Sequence, residues 1–374
     1  MRVFFFQPKA FNRTERRTNP FFDPIIKVCA DNGIEYRIYQ PYRKNESGYA
    51  KMYSSKCLRK FVCMVKWLVR IFTERFTEVA QERIAGRIWN WLTFGRYKAD
   101  IYITIACEFS GVLRGINPHA KVVDVQHGLF CRQHWGYLNR DGTIADFLRQ
   151  FPEREIWVAG EGYREILLQR PENREWVGEH VRVGGDFLGH ELTQSWVDAS
   201  DRDGCILFSL QLTGELTDDG NVKVFEQVRK VLRELKDGGV DCAKIVLRHH
   251  PRYKGFPDVA PLFEEFPGIR VSGDPLKTIL EKTLIHVTLT STTAFEAAAG
   301  GVPTYIPRSY KECFLSEDFD WHEDFQYPFW NLSFGELMRL VRQSRPEVVD
   351  AMHNWFRKYY QPINESHILK LLRA

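Results

Sequence analysis

Thr290-Ser291-Thr292-Thr293-Ala294-Phe295-Glu296-Ala297-Ala298-Ala299-Gly300-Gly301-Val302-Pro303 follows directly on the apolar run Leu284-Ile285-His286-Val287-Thr288-Leu289. The run reads as a buried parallel strand and the hydroxyls as a turn. Residues 293–299 read as a short helix with one carboxylate, and Thr304-Tyr305-Ile306 as the next strand. Strand, helix and strand in that order form a crossover unit, which places this part of the chain in the α/β class with a parallel sheet. Backbone N–H groups at a helix N-terminus attract anions, and adjacent hydroxyls add donors, so the turn would hold a phosphate without a Gly-rich loop. The plainer alternative is a crossover whose Ser and Thr residues only cap the helix.

A second polar strand exit lies 40 residues upstream, in Lys244-Ile245-Val246-Leu247-Arg248-His249-His250-Pro251-Arg252. A third is Cys205-Ile206-Leu207-Phe208-Ser209-Leu210-Gln211-Leu212-Thr213, with Ser, Gln and Thr at its end. In open α/β sheets ligands bind beyond the carboxyl ends of the strands, so these exits point to one crevice. Residues 200–345 therefore read as a nucleotide-binding half.

His250-Pro251 followed by the Ser/Thr cluster at 290–293 resembles the paired HP and Ser/Thr motifs of bacterial GT-B transferases. That group includes sialyltransferases and polysialyltransferases, capsule Kdo transferases and CDP-glycerol glycerophosphotransferases. The resemblance spans roughly residues 100–310 in outline and rests on the order and spacing of short motifs. It implies two Rossmann-like domains with parallel sheets facing a central cleft, and a cytidine nucleotide contacted by both motifs. The acidic base motif of one sialyltransferase family, two carboxylates and a glycine, is not visible in this chain.

In the N-terminal half, Lys121-Val122-Val123-Asp124-Val125 is a strand that ends in Gln126-His127-Gly128. A glycine there offers a sharp turn with positive φ, projecting His127 at the strand's end. Neutral imidazole is a good general base for a hydroxyl near pH 7. The bland reading is a turn histidine bonded to a carbonyl. Gln-His-Gly, with His134 and Tyr137 downstream, also resembles the His-Gly motif of the glycerophosphotransferases, where the histidine is the proposed base. Asp124 would orient His127 or pair elsewhere, and Glu108, at the exit of the strand 101–106, is the second candidate base.

A chain of 374 residues with 44% hydrophobic and 27% charged side chains is long enough for two soluble domains, and a net charge of +4 does not imply nucleic acid. Eight scattered cysteines without a CxxC pair suggest a reduced, cytoplasmic protein rather than a disulfide or zinc framework. The apolar part of Met1 to Pro8 is too short for a signal peptide, and no run reaches membrane-spanning length. From Lys51 to Lys98, however, eleven Lys/Arg face three Glu, and Leu58, Phe61, Val62, Val65, Leu68, Val69, Phe72, Phe76 and Val79 recur at helical steps. That stripe either docks a peripheral protein on an anionic inner leaflet or packs on the core beneath a basic outer face.

The alternation gives domains at 1–190, with a helical insertion at 50–95, and at 200–345, joined by a polar linker near 186–203. A last helix from Arg345 to Tyr360 opens a C-terminal segment, 346–374, that would pack back toward the first domain, as the resemblance implies. No G-x-G-x-x-G, Walker, G-x-S-x-G or H-E-x-x-H motif is present. Asp201-Arg202-Asp203 falls in the linker. Asp318, Asp320, His322, Glu323 and Asp324 form either a divalent-cation loop or a solvated acidic loop.

The resemblance implies no cofactor and no metal, with Arg248, His250 and Arg252 offsetting the leaving-group charge. The expected activity is transfer of a sugar from a nucleotide-sugar donor, a CMP-sugar first, to a glycan or lipid-linked acceptor of a bacterial surface polysaccharide. His127 would be the base, and His250 would bond or protonate the departing phosphate. Ser291, Thr292 and Thr293 would hold that phosphate, Glu296 the ribose, and Ser209 and Gln211 would line the site. Three alternatives stay open: a CDP-polyol phosphotransferase, a nucleotide-sugar epimerase, and a non-catalytic glycan-binding subunit. The epimerase would need carboxylates about the sugar, for which only Glu108, Asp124 and Glu296 are available.

Overall fold

The computed structural model describes all residues except 7–18, 20, 41–52, 55, 73–76, 106–109, 133, 135, 152–153, 191–203, 215, 308 and 310–319. The chain divides into two compact units, Met1–Gly189 with Tyr359–Ala374, and His190–Lys358. No helix among the described residues is long and apolar enough to cross a membrane.

The first unit runs β1 (Arg2–Phe6), α1 (Asp23–Asp31), β2 (Glu35–Gln40), β3 (Tyr53–Ser54), α2 (Lys56–Phe72), α3 (Glu78–Leu92), β4 (Ile101–Ile105) and α4 (Ser110–Ile116). It continues with β5 (Lys121–Val125), α5 (Asp146–Arg149), β6 (Arg154–Val158), α6 (Glu161–Leu167), α7 (Arg174–His180) and β7 (Val181–Val183). The sheet order is β3-β2-β1-β4-β5-β6-β7, and every pair is parallel. Strands such as Val3-Phe4-Phe5-Phe6 are apolar on both sides because both faces are covered. Phe5 and Ile103 pack on the α1 side, while Phe4 and Tyr102 pack under α2, α3 and α4.

The expected helical insertion at 50–95 is not one helix but a short strand and two helices. Thr77 opens the second, its hydroxyl accepting the N–H of Ala80. The apolar stripe turns inward: Leu58, Val62, Val65 and Val79 are buried. Leu68 is exposed, and Phe76 and the Phe72 side chain lie outside the described residues. The core-packing reading therefore holds for most of that stripe.

Helices α3 and α4 approach through glycines. A Cβ on Gly115 would lie 2.3 Å from the Arg83 carbonyl oxygen, and one on Gly86 would lie 2.1 Å from that of Val112. Backbone cannot yield as a side-chain end can, so Gly115→Ala is expected to cost about 2–3 kcal/mol, read as a lower urea midpoint. Gly178→Ala in α7, where a Cβ meets nothing within 4 Å, is expected to be neutral or stabilising in the same assay.

The second unit contains β8 (Cys205–Ser209), α8 (Asp218–Asp237), β9 (Ile245–Arg248), α9 (Ala260–Glu265), β10 (Arg270–Val271), α10 (Leu276–Leu280) and β11 (Thr283–Val287). It ends with α11 (Thr293–Ala299), β12 (Thr304–Tyr305), α12 (Phe334–Gln343) and most of α13 (Arg345–Tyr359). Its parallel sheet has the order β10-β9-β8-β11-β12. Ser333 and Glu336 form a reciprocal capping box that starts α12.

The expected last helix at Arg345–Tyr360 is present, but a second helix follows it in the C-terminal segment. Helix α13 stops at Tyr359, and α14 (Glu365–Arg373) follows. Trp355 of α13 stacks on Phe295 at 4.2 Å and so belongs to the core of the second unit. The first unit is joined only from Tyr359 onward, where Ile368 and Leu372 bury beside Val3 and Phe5. Gln361 and Pro362 break the helix because proline disfavours helical backbone at the residue before it.

The acidic loop is solvated in part, with His322 and Glu323 exposed and Asp320 half-buried. Asp320 Oδ1 accepts the N–H groups of His322 and Glu323, and buried Asp324 accepts that of Asp320. Trp321 between them is fully buried. Asp318 lies outside the described residues, and no cluster of three potential ligands capable of holding a metal occurs among those described.

Candidate functional sites in the two units

In the second unit the chain enters the sheet at β8, steps to β9 and β10 on one side, then returns to β11 and β12 on the other. The strand order therefore reverses between β8 and β11, which is where open α/β sheets form a ligand crevice. Both exits at this switch point are polar, and side chains join them. Gln211 Nε2 donates to the Thr290 hydroxyl at 2.6 Å, and its Oε1 accepts the Thr290 N–H at 2.8 Å. Asn221 of α8 holds the other side of the β8 exit, its amide bonding both N–H and C=O of Thr213.

Below the turn lies His286, fully buried in β11. Register puts His286 beside Leu207 of β8 and Thr304 of β12. Ser209 is two residues beyond Leu207 and so shares its face. The imidazole Nε2 lies 2.9 Å from the Ser209 hydroxyl and 3.3 Å from that of Thr293, and Nδ1 lies 3.0 Å from that of Thr304. Burial pushes the His286 pKa down to about 3, so the ring is neutral at pH 7. A neutral ring donates from one nitrogen and accepts at the other, and hydroxyls supply either complement.

The expected ligand-lining residues thus separate into two layers. Ser209 is buried, and its hydroxyl is engaged by His286. Gln211 spends its amide on Thr290. Both position the turn rather than presenting free polar groups on its surface. Thr292 is exposed and Ser291 half-buried, its hydroxyl accepting the Thr293 N–H at 3.2 Å. Glu296 stands in the first turn of α11, whose Phe295 is locked between Trp355 and Phe325. Trp321 Nε1 donates to the Leu289 carbonyl and holds the strand end from behind.

One strand over, Arg248 ends β9, and its carbonyl accepts the Leu210 N–H at 2.9 Å. His250 is half-buried, and its Nδ1 accepts the Arg252 N–H at 3.1 Å, which leaves Nε2 as the proton-bearing atom of the neutral ring. Pro251 is exposed at the turn. His249 lies flat on Tyr253 at 4.1 Å, and burial lowers its pKa.

In the first unit, His127 sits half-buried just past β5. The turn is held by Gln126, whose Oε1 accepts the Ala159 N–H at 2.9 Å while its Nε2 donates to the Gly128 carbonyl at 2.8 Å. Positive φ, expected at Gly128, is not used: this residue is absent from the left-handed glycines, and a Cβ there would meet nothing within 4 Å. A side-chain clamp replaces backbone strain. His134 lies close enough to His127 that the two rings repel when charged. Burial, then that repulsion, lowers the His134 pKa. Phe130, Tyr137 and Tyr163 stack beside this loop. Asp124 is fully buried in β5 and accepts the Thr104 hydroxyl at 3.3 Å. Glu108 lies outside the described residues.

His286 and Gln126 are the site residues that sequence reading passed over. His286 was absorbed into an apolar strand, where a histidine between β-branched neighbours was the available signal. Gln126 stood inside the Gln-His-Gly motif without a role.

No family model matches the sequence, and no curated protein matches it. Solved structures do. The lipopolysaccharide outer core galactosyltransferase WaaB aligns over 100% of this chain and 99% of its own, with a TM-score of 0.53 and 11% identity. The UDP-GlcNAc 2-epimerase of Neisseria meningitidis, bound to UDP-GlcNAc, aligns over 100% of both chains, with a TM-score of 0.51 and 11% identity. The chain has the GT-B fold. At such identities the likeness extends to the fold and no further.

Proposed function

We propose that this GT-B chain is a glycosyltransferase that moves a sugar from a nucleotide-activated donor to a hydroxyl acceptor. The observation that carries the reading is the hydroxyl-lined turn at the switch point of the second unit, braced by Gln211 and His286. Ser291 and Thr292 would bind the donor phosphates, with Arg248, His250 and Arg252 at the next strand exit offsetting charge on the departing group. Glu296 would bind the ribose. His127 would take the proton of an acceptor hydroxyl as it attacks the anomeric carbon, most simply with inversion and without a metal. The HP and Ser/Thr pair favours a CMP-sugar, and the acceptor would be a glycan or lipid-linked saccharide of a bacterial surface polymer, modified in the cytoplasm.

A second reading, a nucleotide-sugar epimerase, is supported equally by the fold, since one of the two neighbours above carries that activity. The two separate by acceptor dependence: a transferase releases nucleotide when acceptor is present, while an epimerase converts the nucleotide sugar alone.

The first experiment is a thermal-shift series with CMP, CDP, UDP, GDP and dTDP. A nucleotide at about 100 times its Kd adds roughly 2.7 kcal/mol to the folded state and raises Tm by several degrees. Stabilisation by CMP supports a CMP-sugar donor, and by CDP a CDP-polyol donor. Stabilisation by UDP, GDP or dTDP removes the cytidine inference while keeping a nucleotide site. No shift with any of the five sinks the enzymatic reading in favour of a non-catalytic subunit.

A further inference from the structure

The outer faces of α2 and α3 carry large apolar side chains that their inner faces do not need. Leu58, Val62 and Val65 supply the core contact of α2, yet Met64, Trp67 and Ile71 recur at helical spacing on a second, exposed face. Helix α3 does the same with Ile88 and Trp91, and Phe94 follows its end. Trp67 is 62%, Trp91 74% and Phe94 97% exposed. Phe94 also has φ of 51°, an outlier for a bulky residue, so the chain holds this ring in water at a conformational cost. The helices run antiparallel, Phe61 meeting Trp89 near the end of α3 and Lys66 meeting Glu78 near its start.

Charge around these rings has one sign. Arg59, Lys60, Arg70, Arg87, Arg96 and Lys98 are exposed along the two helices and the turn after them. The carboxylates described on the same helices, Glu78 and Glu82, both pair with Lys66. A second copy of this chain docked on the same face would set these cations against each other, because a two-fold interface is self-complementary. An anionic lipid surface instead satisfies both features: indole rings settle at the headgroup level, and cations lie in the negative surface potential.

We propose that the outer faces of α2 and α3, with Phe94, form a docking surface for an anionic lipid bilayer. The residues differ from the apolar stripe that sequence periodicity singles out, since most of that stripe is core. This inference goes beyond the transferase reading and does not depend on it.

The test is co-sedimentation with vesicles of phosphatidylcholine containing about one third phosphatidylglycerol, against phosphatidylcholine alone. Binding is expected to the anionic vesicles at low salt, with at least about tenfold weaker binding at high salt or on the neutral vesicles. Trp67→Ser with Ile71→Ser and Trp91→Ser is expected to weaken binding at least about tenfold while circular dichroism and the melting temperature stay unchanged. If that variant folds poorly, Arg59→Glu with Lys60→Glu should give the same loss. Absence of binding at low salt overturns the proposal, as does equal binding to neutral vesicles or undiminished binding of a folded variant. Self-association in solution that the triple variant abolishes would assign the face to a second copy and overturn it equally.

Discussion

Acidifying this protein from pH 7 to pH 5 is expected to cost about 2 kcal/mol of stability through His286 alone. The imidazole is fully buried among hydroxyls, and burial drives its pKa from 6.5 to about 3. The unfolded chain therefore binds a proton that the folded chain refuses. Stability from this group is fully present above about pH 6.5 and falls as pH drops toward 3, by about 1.4 kcal/mol per unit once below the unfolded value. The loss by pH 5 depends on the unfolded value, because the folded one lies well below that pH. Urea unfolding at pH 7, 6 and 5 measures it, with His286→Gln as the control. Glutamine keeps a donor and an acceptor but does not titrate, so its slope should be flatter by about one proton. A wild-type slope no steeper than that of His286→Gln would show that the ring takes up a proton in the folded state.

The same substitution should reach the ligand. His286 ties Ser209 to Thr293 beneath the turn that includes Ser291 and Thr292. His286→Gln is expected to weaken nucleotide binding less than Ser291→Ala with Thr292→Ala, which removes the hydroxyls themselves and should raise Kd about tenfold or more. Calorimetric titration of the stabilising nucleotide orders the variants.

Replacing His127 by alanine should lower kcat about a hundredfold or more, some 2.7 kcal/mol of transition-state stabilisation, while leaving donor affinity nearly unchanged. His127 stands on the first unit, held by the Gln126 clamp and next to His134, whose depressed pKa keeps it neutral near pH 7. The hydroxyl-lined turn proposed to bind the nucleotide belongs to the second unit. A general base acts only as the proton moves, so its loss should appear in turnover and not in binding. Steady-state kinetics with a sugar donor of the nucleotide found by thermal shift separates the two, and Gln126→Ala should show a weaker form of the same pattern by loosening the turn. If His127→Ala weakens donor binding as much as turnover, His127 is a nucleotide ligand and not the base.

Much of this architecture was legible in the chain. Apolar runs ending in polar turns at 205–213, 244–252 and 284–293 announced parallel strands, because a strand covered on both faces must be apolar throughout and its exit must be solvated. The hydroxyls of Ser291 and Thr292 and the histidine after β5 are likewise properties of short segments.

Pairing between distant segments is not. That His286 meets Ser209 and Thr304 follows from the register of β11 between β8 and β12, across 77 and 18 residues, which no local pattern encodes. That Gln126 clamps Gly128 to Ala159 depends on β5 lying beside β6. Helical periodicity from Leu58 to Val79 announced an amphipathic helix, but two apolar faces satisfy the same spacing, and only packing on the sheet decided that Val62 and Val65 go inside while Trp67 and Ile71 face water. The split of the C-terminal segment was decided the same way, Trp355 finding Phe295 in one unit and Leu372 the core of the other. Sequence alone determined which segments are strands, helices and polar turns, because those choices depend on neighbours a few residues away. The tertiary structure decided which side chains meet, because burial is shared between segments far apart in the chain.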